Sequence, residues 1–86
     1  MNLLSVADLI LGIARLVTKS IGMSLRDFGR FAATEPKAAA EALDLAAGEL
    51  EARADARRRQ YGWLARRHRA VASKLRAHAD ELRARA

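Results

Sequence analysis

A chain of 86 residues with no cysteine has room for one small domain and no disulfide or thiolate chemistry open to it. Ala, Leu and Arg dominate, with one proline and four aromatic residues (Phe28, Phe31, Tyr61 and Trp63), a composition that favours helices over strands. The formal charge of +6 is unevenly spread: residues 1–36 carry four basic and three acidic side chains, residues 37–56 two and five, and residues 57–86 ten and two.

The first predicted element covers residues 2–33. Ser5, Asp8, Gly12, Arg15, Lys19, Gly22 and Arg26 recur in steps of three and four, which marks a narrow polar stripe on a helix. Nearly everything else around the cylinder is apolar. Gly22 can close one helix and Ser24 with Asp27 can open another, so helices are predicted near 2–21 and 24–33. One seam, running from Leu3 through Ile10 and Val17 to Phe28 and Phe31, suits docking on the chain's own later helix. A second set, Val6, Leu9, Ile13, Leu16 and Met23, then still needs cover, at about 1.5–3 kcal/mol for each buried side chain.

Three covers fit this arc: a monomeric bundle core, a subunit interface, or a membrane surface. An arc too broad for one partner helix favours the subunit interface, and Leu9, Ile13, Leu16 and Phe28 are the expected assembly residues. The stripe carries only two bases, Arg15 and Lys19, which counts against a helix lying in a lipid surface. Asp8, Arg15 and Lys19 also cut the apolar run, so neither a transmembrane span nor a secretory signal is expected, and the expected location is cytoplasmic or membrane-peripheral.

Thr34, Glu35 and Pro36 predict a turn, with Thr34 as cap and Pro36 in the first turn of the next helix. From Lys37 to the end, Leu43, Ala47, Leu50, Ala54, Arg57, Tyr61, Leu64, His68, Val71, Leu75, His78 and Leu82 continue one heptad seam. A single helix over 37–86 would reach about 75 Å. Gly48 and Gly62 weaken it, and Gly62, beside Arg57–Arg59, is the expected hinge. Its first half is acidic and its second half Arg-rich. Two such helices from neighbouring subunits would therefore pair antiparallel, bringing residue 44 of one near residue 76 of the other.

Arg57, Arg58, Arg59, Arg66 and Arg67 with Trp63 form the expected basic binding surface. An acidic protein is its first expected partner, with a membrane surface or nucleic acid behind it; no nucleic-acid motif accompanies the charge. His68 and His78 are ten residues apart, roughly 80° around a helix, so no metal site is expected. No nucleophile with its base and no phosphate-cradling glycine loop is present, so neither catalysis nor a cofactor is expected.

The sequence thus predicts an all-α fold, a helical hairpin or small helical bundle with a long C-terminal coiled-coil-like helix, in a homo-oligomer. The expected function is non-catalytic self-assembly or adaptor work, burying the N-terminal helix in an interface and presenting the Arg-rich helix to an acidic partner. A peripheral membrane protein is the alternative, and a nucleic-acid binder the third reading.

Overall fold

A computed structural model describes residues 3–86 as five helices and no strand: α1 (Val6–Ile10), α2 (Ile13–Ile21), α3 (Leu25–Thr34), α4 (Pro36–Arg57) and α5 (Gly62–Arg85). It is an all-α bundle. Each boundary has a local cause. Ser5 caps α1 by a reciprocal pair, its hydroxyl accepting from the Asp8 amide while its own amide donates to the Asp8 carboxylate at 2.9 Å.

Leu11 and Gly12 end α1, and Gly12 takes a left-handed conformation (φ 77°) that an L side chain resists. Among the described residues the helix expected over 2–21, whose first residue lies outside them, is therefore two helices with a turn between them. Gly22, also left-handed, closes α2, and the Ser24 hydroxyl caps α3 by accepting from the Asp27 amide.

Thr34 is not a cap as expected. It is the last residue of α3, and its hydroxyl donates back to the carbonyls of Arg30 and Phe31. Glu35 alone separates α3 from α4, whose first residue is Pro36, where a missing N–H costs nothing.

The single helix expected over 37–86 is also two. The chain turns back at Arg58–Tyr61, and Gly62 is the first residue of α5. The reason lies in the seam. It carries Arg57 and Tyr61 in the middle, both exposed in the fold, and is largely apolar on either side, with His68 and His78 as the polar positions of its later half. Folding there sets Leu43, Ala47 and Leu50 of α4 and Val71, Leu75 and Leu82 of α5 into one core cluster. Alanines at 39, 40, 46 and 47 in α4 and at 72 and 79 in α5 are buried too, which lets the two backbones approach closely.

The acidic and basic halves meet inside this hairpin. Asp55 pairs with Arg69 at 2.8 Å, Glu51 with Arg76, and Asp44 with Arg83 and, at 3.7 Å, Arg76. As one partner's number falls from 55 to 44 the other's rises from 69 to 83, the mark of antiparallel pairing. The 44–76 juxtaposition expected between subunits is thus found within one chain.

Helices α2 and α3 pack on α4, burying Ile13, Val17 and Phe28, with the Phe28 and Phe31 rings edge to face at 6.2 Å. The Ser20 hydroxyl donates to Glu49 and ties α2 to α4. The described residues span 41 × 20 × 19 Å, far short of the 75 Å rod, with a radius of gyration of 12.6 Å against about 12 Å for a compact chain of this length.

Candidate functional site

Helix α1 is inside out. Its one buried side chain is Asp8, while Val6 (71% exposed), Leu9 (58%) and Ile10 (79%) face outward. Val6 and Ile10 stand roughly 160° around the axis from Asp8, so burying the carboxylate forces both aliphatic side chains into the open. Asp8 is held by three donors: the Ser5 amide at 2.9 Å, the Ser5 hydroxyl at 3.1 Å and the Arg67 Nε–H at 2.5 Å. Arg67 also donates from Nη2 to the Ser5 hydroxyl. Burial pushes the Asp8 carboxyl up, but the Ser5 amide, the Arg67 guanidinium and the Ser5 hydroxyl together outweigh it and hold it below the ordinary Asp value.

This anchor ties α1 to the second turn of α5. Trp63 stands four residues before Arg67, on the same face of α5, and is 56% exposed; Tyr61 is 47% exposed. Arg53, Arg57, Arg58, Arg59 and Arg66 crowd the same end and are all exposed. Among the described residues none of the five forms an ion pair, in contrast to Arg69, Arg76 and Arg83 further along α5. Three arginines along the hairpin are thus neutralised, whereas Lys37, Lys74 and Arg85 form no ion pair among the described residues, and unpaired arginines are densest around the turn.

The expected assembly residues divide. Ile13 and Phe28 lie inside the chain's own core and Leu16 is half-buried against it, so of the four only Leu9 remains on an open face. Ile10, expected to dock on the long helix, points away from it. The polar stripe explains the exchange. It faces solvent in α2, where Arg15 and Lys19 are exposed, but Gly12 rotates α1 so that Ser5 and Asp8 turn inward. The sequence signal that reveals this is the spacing Ser5-x-x-Asp8, a capping box in its own right.

Of the expected basic surface, Arg57, Arg58, Arg59, Trp63 and Arg66 are exposed together, whereas Arg67 is occupied by Asp8 and Ser5 and is an anchor rather than a free cation. Residues missing from that expected set are Arg53 and Tyr61.

His68 is buried under the hairpin with no hydrogen-bond partner on Nδ1. Burial lowers its basicity, nearby Arg57 and Arg53 push the same way, and a backbone contribution from Leu64 opposes them. Toward the C-terminal end of α5 an apolar cavity of about 580 Å³ opens between α1, α3 and α5, lined by Leu4, Leu9, Leu25, Phe28 and Leu82 with His78 and Arg85 at its polar side. Among the described residues no three His, Asp or Glu side chains converge to hold a metal, and no helix is long and apolar enough to cross a membrane.

Compared with known proteins, the chain matches no family model, no curated protein and no solved structure.

Proposed function

We propose that this protein is a non-catalytic docking module that settles on an anionic partner surface through the outer face of α1 and the arginine-rich α4–α5 turn. The observation that carries the reading is the inverted α1: a carboxylate is buried by dedicated hydrogen bonds while three aliphatic side chains are held outward. Burying an aliphatic side chain fully is worth about 1.5–3 kcal/mol, so an uncovered trio is a standing source of binding energy. The unpaired arginines around the α4–α5 turn select the sign of the partner and speed the encounter.

The test uses anilinonaphthalene sulfonate, an apolar ring system bearing one anionic group. The folded protein is expected to bind it with a fluorescence increase. Val6→Ser/Ile10→Ser is expected to lose most of that signal with helix content unchanged, and Arg58→Ala/Arg59→Ala to weaken it and reduce its salt sensitivity. Val6 and Ile10 do not line the cavity, whereas Leu9 of the same helix does and is left unchanged in this variant. Dye binding that survives the α1 double substitution would therefore belong to the cavity and overturn the reading.

Self-association through α1 is a second reading, favoured by the same three aliphatic side chains. It brings two unneutralised arginine clusters together, which the first reading avoids.

A further inference from the structure

We infer that the anionic surface is a lipid bilayer, an inference that rests on the docking reading and names its partner. Exposure argues first. Val6, Leu9, Ile10, Tyr61 and Trp63 are all roughly half exposed or more, a set of apolar side chains of the kind that marks an interaction surface.

Chemistry argues next. The patch combines short aliphatic side chains for the acyl boundary, a tryptophan and a tyrosine for the headgroup level, and unpaired arginines for phosphates. In sequence the N-terminal helix looks too poor in bases to lie on such a surface. The fold answers that objection through a neighbouring element, because Arg67 grips Asp8 and ties α1 to the helix whose first turns carry Trp63 and Arg66. A second copy of the chain is disfavoured by the same five arginines, none of which forms an ion pair among the described residues.

Trp63 is the only tryptophan and reports directly. The full chain is titrated with vesicles of phosphatidylcholine alone and of phosphatidylcholine mixed with phosphatidylglycerol. Only the anionic vesicles are expected to shift Trp63 emission to the blue and to allow its quenching by acyl-brominated lipid. Val6→Ser/Ile10→Ser is expected to abolish the shift. Arg58→Ala/Arg59→Ala should weaken partitioning by roughly twenty- to thirty-fold, given the usual contribution of a basic residue near an anionic leaflet. Emission unmoved by anionic vesicles while the naphthalene dye still binds the α1 face would overturn the lipid inference and leave the docking reading standing. Failure of the dye as well would end both. A shift produced by polyglutamate and not by vesicles, or one that persists in the α1 double variant, would also overturn the lipid inference.

Discussion

At Asp8 a single carboxylate decides the orientation of a helix. Removing one partner of a sealed ion pair costs about 3–5 kcal/mol. The Arg67 side chain is 28% exposed, so Asp8→Asn is expected to cost less, about 1–2 kcal/mol in chemical denaturation. Hydrogen exchange should quicken in α1 while the α4–α5 amides stay protected. The same group predicts a pH response. Its folded pKa lies below the unfolded value of about 3.9, so the unfolded chain binds the proton more readily. The anchor's stability is fully present above about pH 4 and is lost as pH falls through the folded pKa. Asp8→Asn should remove that portion of the acid sensitivity. His68 works in a higher window. Buried and less basic than in the unfolded chain, it makes stability greatest above about pH 6.5 and lower as pH drops below it. Denaturation midpoints measured between neutral pH and mild acid should fall in the parent chain and flatten in His68→Leu.

At the scale of elements, two turns shape the molecule, and they are legible in the sequence to different degrees. The α4–α5 hairpin is visible in outline, because the heptad seam fails at Arg57 and Tyr61 and the charges on either side are opposite. What sequence alone leaves open is whether the two halves meet in one chain or in two, since antiparallel pairing satisfies the same charges either way. The structure pairs them within the chain, so a short bismaleimide added to Asp44→Cys/Arg76→Cys is expected to give a compact, faster-migrating monomer. A ladder of dimers would contradict that pairing. The α1–α2 turn is harder to read. Glycine is tolerated inside helices, and the three-and-four spacing of the polar stripe runs unbroken through Gly12. Only its left-handed backbone shows that the phase changes there. Gly12→Ala would meet no heavy atom within 4 Å, so its cost is conformational alone, about 1–2 kcal/mol in thermal or chemical unfolding.

Across the whole molecule, the broad N-terminal arc is divided rather than uniformly exposed. Ile13, Val17 and Phe28 are buried in the core, while Val6, Leu9 and Ile10 are left out. Sequence periodicity points to the excess of apolar surface but not to which residues carry it, because that depends on the turn at Gly12 and the reach of Arg67 across fifty-nine positions to Asp8. The basic cluster is readable directly, since most of it is contiguous in the chain; its neutralised and open portions separate only once α4 lies against α5. On the docking reading, the chain closes its own core and keeps one apolar, basic end for a foreign anionic surface. The measurement that tests this most directly is the absolute mass by light scattering in detergent-free buffer over a wide concentration range. The expected result is the 9.4 kDa monomer throughout. A discrete oligomer that Val6→Ser/Ile10→Ser dissolves would contradict it, because copies of the chain would then occupy the face reserved for the partner.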